Sequence, residues 1–290
     1  MYVFKYLIRE VFFLPRVVRS EVGFYSPFSN SMLSIIIPSY RDPYLQPTID
    51  DIRKNAKGSI EIIVILDGYQ DTTITGATII HNENRRGLRD SVNSGVAISH
   101  GEYLLKCDSH CMFDEGFDVK ILADIQDNWV VIPRRYKLDT DNWKICEDDP
   151  NPIDYERLTT DLPDRICGNE WREREKKNQD ILIDETMVFQ GSCWVMSRKH
   201  WDFLGGLSEE GYGTFAQEPV EIALKTWLSG GRVITNKKTW YAHQHRRFGR
   251  VHSANKAEVR AGNAYSRDFW INNRWDKRIH DLEWLIARFR

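Results

Sequence analysis

The chain of 290 residues is 41% hydrophobic and 28% charged, with a formal net charge of −2. This is the balance of an ordinary soluble globular protein and implies no overall polyelectrolyte partner. The charge is uneven: residues 225–290 hold 15 Lys and Arg against 5 Asp and Glu, a net of +10, so residues 1–224 carry −12. That asymmetry predicts either a basic face able to meet phosphates or a solvated surface balanced in space by the acidic 139–185 region.

Length predicts one α/β core of about 200–250 residues plus a tail. The five cysteines, Cys107, Cys111, Cys146, Cys167 and Cys193, are scattered and lack a paired C-x-x-C zinc arrangement. They read as reduced thiols of a cytoplasmic protein. No apolar run is long enough for a spanning helix. The first residues are apolar but broken by Lys5, Arg9 and Glu10. They fit an amphipathic segment (residues 1–32) docking on the body better than a secretory signal or a membrane-surface anchor.

In chain order, Leu33 to Pro38 is a β-branched run stopped by proline, the pattern of a buried parallel strand. A loop with Ser39, Tyr40, Arg41 and Asp42 follows. A helix is predicted from Thr48, as N-cap, to Asn55. Glu61 to Asp67 and Thr78 to His81 read as two further strands, and Arg86-Gly87-Leu88 opens a helix through Ala97. Tyr103 to Cys107 is an apolar strand that ends in Asp108-Ser109-His110. At that spacing a carboxylate and an imidazole can turn toward one point, a mixed oxygen and nitrogen set suited to Mn²⁺; a polar turn is the plainer alternative. Alternating strands and helices predict a doubly wound α/β half, whose ligands sit at the carboxyl ends of the strands. Arg41/Asp42, Asp67 and Asp108/His110 all fall there.

Trp129 to Pro133 reads as another strand. Residues 134–184 are charged and show little periodicity, which marks an excursion rather than an ordinary connection. Strand character returns at 190–196, and a short helix over 200–204 ends at Gly205-Gly206. After a glycine-bearing loop, Glu218-Pro219 opens a helix closed by Gly230-Gly231, with Glu218 where the helix dipole favours a carboxylate. Arg232 to Ile234 is a strand. His243 and His245, followed by Arg246 and Arg247, offer a further ligand for a site with Asp108 and His110. The last forty residues, with Trp270, Trp275 and Trp284, read as helices packed on the body.

The order of these motifs resembles the glycosyltransferase type A fold: a mixed, mostly parallel sheet with a helical tail (residues 33–250 catalytic, 251–290 basic and tryptophan-rich). It is similar to the family 2 nucleotide-sugar transferases. The likeness rests on Ile35-Ile36-Ile37-Pro38-Ser39-Tyr40, on Arg86-Gly87-Leu88 through Gly101-Glu102-Tyr103, and on the Glu218 helix. Asp108-Ser109-His110 resembles the Asp-x-His of polypeptide N-acetylgalactosaminyltransferases.

The resemblance implies that Pro38, Ser39, Tyr40, Asp42, Asp67, Arg86, Gly87 and Asp108 hold a nucleotide diphosphate sugar, with a UDP-sugar first. It implies that Asp108 and His110, with His243 or His245, bind Mn²⁺ or Mg²⁺. Arg246 and Arg247 would stabilise the leaving group, and Glu218 is the candidate catalytic or sugar-positioning carboxylate. Two departures stand out. Pro219 occupies the position where inverting members carry a general base, which leans toward retention. The membrane anchor and lectin domain of the Asp-x-His relatives have no counterpart here, so their peptide acceptor does not transfer. The acceptor reads as a glycan, lipid or protein hydroxyl, or as a hydroxymethylated pyrimidine in DNA met by the basic tail. The competing readings are a non-catalytic nucleotide- or nucleic-acid-binding module and a nucleotidyltransferase.

Overall fold

Strand β1 (Met32–Ser39) is buried along residues 33–37 because neighbours cover both of its faces and both of its edges. The structure, a computed structural model, describes residues 31–245 and 255–290. The chain continues through α1 (Leu45–Asn55), β2 (Ser59–Asp67), β3 (Thr78–Asn82), α2 (Leu88–Ile98), β4 (Tyr103–Cys107), β5 (Cys111–Phe113) and α3 (Phe117–Leu122). Then come β6 (Trp129–Asp139), β7 (Lys144–Ile145), β8 (Glu156–Thr159), β9 (Cys167–Glu170), α4 (Arg172–Lys177) and β10 (Ile183–Glu185). The last elements are β11 (Cys193–Ser197), α5 (Arg198–Leu204), α6 (Glu218–Leu228), β12 (Arg232–His243), α7 (Lys256–Ile271) and α8 (Leu282–Arg288).

The main sheet runs in the order β10-β12-β6-β11-β4-β1-β2-β3. It is parallel from β4 through β1 and β2 to β3, and again between β6 and β12. The antiparallel β11 joins the two parallel parts. The apolar runs 62–66 and 103–105 lie on strands with a neighbour on each edge, and continuous hydrophobicity is required there because neither face meets water. Helix α2 approaches this sheet closely. A Cβ on Gly95 would lie 2.6 Å from Ile36 Cγ2 and 2.8 Å from Ile65 Cδ1, so only glycine permits the contact.

Three predicted elements are corrected. Helix α1 begins at Leu45, so Thr48 is inside it rather than its cap. The Thr48 hydroxyl instead accepts the Cys111 N–H at 3.1 Å and ties the helix to the start of β5. Strand β6 does not stop at Pro133 but runs to Asp139, because Pro133 pairs with Asn236 where the β6–β12 register shifts. Such an irregularity tolerates a residue without an N–H. Strand β12 is far longer than the three residues predicted, and the 134–185 excursion contains four short strands and a helix.

Helices α7 and α8 pack on the body: Trp270, Trp275, Leu282 and Leu285 belong to the main core, and Trp284 lies against it. No described helix is long and apolar enough to cross a membrane. Residues 1–30, with most of the predicted amphipathic segment, and Arg246 and Arg247 lie outside the described residues.

Candidate active site

Strand β5 explains how residues 133 positions apart meet. It pairs with the end of β12, setting His243 opposite Cys111, and Gln244 N–H donates to the His110 carbonyl at 3.2 Å. His243 Nε2 therefore lies 3.0 Å from His110 Nε2 and 3.2 Å from Asp108 Oδ2, and His110 Nε2 lies 3.9 Å from the same carboxylate oxygen. One ligand atom from each of Asp108, His110 and His243 falls within 4.8 Å of the others.

His110 is oriented from behind. Its Nδ1 lies 2.8 Å from Asp42 Oδ2, while Asp42 Oδ1 accepts the Tyr44 N–H at 3.0 Å. A proton on Nδ1 facing Asp42 leaves the Nε2 lone pair directed at His243, the arrangement by which a carboxylate fixes a ligating imidazole. Two nitrogens this close need a proton or a cation between them. Burial pushes His243 down to about 3, so its imidazole is neutral at ordinary pH and its nitrogen is available to a cation. A carboxylate oxygen with two imidazole nitrogens suits a borderline divalent ion such as Mn²⁺ and not the all-oxygen preference of Ca²⁺. The residues present fit the ion. The His245 ring packs edge-on at 5.2 Å from that of His243, outside the convergent trio.

The ends of β1 and β2, to one side, carry a second cluster of polar and aromatic groups. Asp67, 4% exposed, accepts Arg86 N–H at 2.7 Å, Gly87 N–H at 2.8 Å and the Asn82 amide at 3.1 Å. Both its oxygens thus hold the loop that opens α2. Gly87 has φ +94°, and a Cβ there would lie 2.4 Å from Thr214 Cβ, so the loop can close against residue 214 only as glycine. The Arg85 guanidinium stacks 4.4 Å over the Tyr40 ring, Tyr69 meets that ring edge-on, and Ser39 Oγ lies 2.8 Å from the Tyr69 hydroxyl. Pro38 is partly exposed at the end of β1 beside them. The Arg86 side chain is mostly exposed and 3.6 Å from Asp90.

Behind Asp108 stands a group that sequence reasoning missed. Lys106, 1% exposed, donates to Asp108 Oδ1 at 2.7 Å, to the Gly191 carbonyl at 2.6 Å and toward Glu218 Oε2 at 3.4 Å. Trp194 Nε1–H donates to Glu218 Oε1 at 2.6 Å. Glu218 is 2% exposed, so both of its oxygens have chain partners, and burial raises its pKa. Burial pushes Asp108 up too, but the Lys106 cation and the His243 hydrogen bond hold it well below the usual carboxylate range. The signal was a lysine inside an otherwise apolar buried strand. Such a position demands a paired charge nearby.

The profile of glycosyl transferase family 2 matches residues 34–204. Glycosyltransferase GlyG of Streptococcus pneumoniae is 28% identical over 225 residues, which cover 73% of this chain and 64% of that protein. Polypeptide N-acetylgalactosaminyltransferase 3 of Mus musculus is 24% identical over 166 residues, 53% of this chain and 25% of that protein. The chain therefore spans only about a quarter of the length of that curated relative. Among solved structures, GalNAc-T7 with UDP, GalNAc and Mn²⁺ superposes with a TM-score of 0.68 at 18% identity, over 84% of this chain and 49% of that one.

Proposed function

Since the chain belongs to glycosyl transferase family 2 and has the glycosyltransferase type A fold, we propose that it transfers a sugar from a nucleotide diphosphate sugar to a hydroxyl acceptor. The observation that carries this is the convergence of Asp108, His110 and His243, with Tyr40, Asp67 and Gly87 at the ends of the neighbouring strands of the same sheet. Those three residues would hold a divalent ion, with Mn²⁺ first, which supplies Lewis acidity toward the departing diphosphate. Asp42 fixes the His110 ring. Ser39 and the Tyr40–Arg85 stack form the wall against which a nucleoside lies, and a uridine nucleotide is the first choice because the GalNAc-T7 structure contains UDP. Asp67 shapes the loop of Arg86 and Gly87 through their N–H groups. Arg246 and Arg247 follow the His243 strand in sequence and are proposed to reach the leaving group.

The stereochemical course proposed is retention, because Pro219 takes the position after Glu218, and Glu221, the other carboxylate of the first turn of α6, is buried against Arg89 and Lys225 rather than placed to take the acceptor proton. The anomeric configuration of the product, read by NMR, checks this; inversion would refute it. For the acceptor, the general hydroxyl reading is preferred to modified DNA. Several cations of the tail are held by the chain itself: Arg267 on the Leu162 carbonyl, Arg274 on Asp268, Lys277 on the Phe203 carbonyl and Arg288 on Glu185.

The deciding experiment incubates the full chain with a panel of nucleotide sugars and Mn²⁺. Release of nucleoside diphosphate, lost on adding chelator and in Asp108→Ala, is the expected outcome. Release of pyrophosphate would mean a nucleotidyltransferase, and no consumption of any donor would mean a binding module.

A further inference from the structure

The register of β4 against β11 sets Lys106 opposite Trp194, so both side chains leave the sheet on one face, beneath the first turn of α6. Two residues on, Asp108 returns to that same face. Lys106 has three N–H donors, and three acceptors surround it: Asp108 Oδ1, the Gly191 carbonyl and Glu218 Oε2. The consequence for Asp108 is specific. Its Oδ1 is occupied by the ammonium, and Oδ2 is the oxygen facing His110 and His243.

We infer that Lys106 is a positioning residue that restricts Asp108 to one metal-facing oxygen, and that Glu218 acts through it by offsetting its charge beside the metal centre. Glu218 is thereby given a role that needs no contact with substrate, consistent with its burial and its bonds to Trp194 and Lys106. A cation fixed next to a ligating carboxylate lowers the attraction of the site for a divalent ion, and a carboxylate behind that cation restores part of it. The array therefore tunes affinity as well as geometry. This inference rests on the metal reading proposed above.

The two buried charges predict opposite shifts. In the donor-free full-length protein, titrated with Mn²⁺ and followed by the EPR signal of the free ion, Lys106→Met should bind the ion roughly tenfold more tightly, because it frees Oδ1 and removes a positive charge. Glu218→Gln keeps an oxygen for the Trp194 N–H but loses the negative charge, and should bind roughly tenfold more weakly. The double variant Lys106→Met/Glu218→Gln removes both charges together and should return toward the wild-type affinity. A buried pair replaced as a whole is tolerated far better than a half-removed one, so the double and Glu218→Gln decide the question even if Lys106→Met alone does not fold.

Parallel weakening in every variant would mark a merely structural role and overturn the inference, as would an affinity unmoved by Glu218→Gln. Wild-type protein that binds no Mn²⁺ would instead overturn the metal reading itself.

Discussion

Asp42 shows how much chemistry one residue can carry at a distance from any ligand. Its carboxylate faces His110 Nδ1 and decides which nitrogen of that ring is left bare. Asp42→Ala should lower Mn²⁺ affinity by about 10–100-fold, the usual cost of losing a carboxylate behind a ligating histidine. Calorimetric titration against wild type checks it. A second residue governs stability with pH. His200 is buried, with Nε2 3.1 Å from the Thr226 hydroxyl, and burial lowers its pKa to about 4. In the unfolded chain the ring titrates near the usual value of about 6.5, so the unfolded state binds the proton first as pH falls. The stability from keeping this ring neutral is complete above about pH 6.5 and is lost as pH drops toward about 4. His200→Gln should flatten the urea midpoint between pH 7 and pH 5; a profile as steep as wild type would refute the assignment.

At the scale of elements, Arg89 is the tie between two helices. Its guanidinium is fully buried, donates to the Ser208 and Ala216 carbonyls and pairs with Glu221 of α6, which also takes Lys225 at 2.7 Å. Arg89→Met leaves Glu221 buried with one cation fewer, and about 3–5 kcal/mol should be lost, since breaking a buried pair strands its partner. Gly95→Ala should cost about 1–3 kcal/mol by forcing α2 away from Ile36 and Ile65. Chemical denaturation at neutral pH measures both.

This is also the scale at which the sequence was most readable. Strands β1, β2 and β4 were legible because a parallel strand covered on both faces must be a continuous apolar run. The helix at Glu218 was legible from its proline and terminal glycines. The pairing of β5 with β12 was not, because three residues carry no periodicity, and so the choice between His243 and His245 stayed open in the sequence. Lys106 was passed over because an apolar run hides a single charge whose partners, Gly191 and Glu218, lie far along the chain. The 134–185 excursion was illegible because its strands are only two to four residues long, too short to show a period, and charged pairs such as Arg135 on Glu156 and the bidentate Arg134 on Asp154 help fix it where an apolar pattern would have been readable.

For the molecule as a whole, the tail is part of the body. Helix α7 clasps the loop before α6: Glu258 accepts the Thr214 N–H at 2.6 Å, and the Gln217 amide donates to Asn263 at 2.9 Å. Leu285 of α8 is fully buried, and Phe289 meets Trp227 edge-on with ring centres 5.4 Å apart. Leu285→Ala should therefore destabilise the entire fold by about 2–5 kcal/mol in a single transition. A separate early melting step would show the tail to be an independent unit. With so many tail cations held by the chain, transfer activity should vary little with salt, whereas a nucleic-acid acceptor would make it fall steeply.

His243 ends β12, and β12 enters the main sheet between β6 and β10 while also gripping β5. A ribosome delivers Asp42, Asp108 and His110 long before it delivers His243. The nascent chain can build the β1–β4 half early, yet it lacks the third residue of the proposed metal site until the far strand has been released and threaded into place. If the proposed site takes its ion, capture is then an event of late assembly, open to a growing chain only once the sheet has closed.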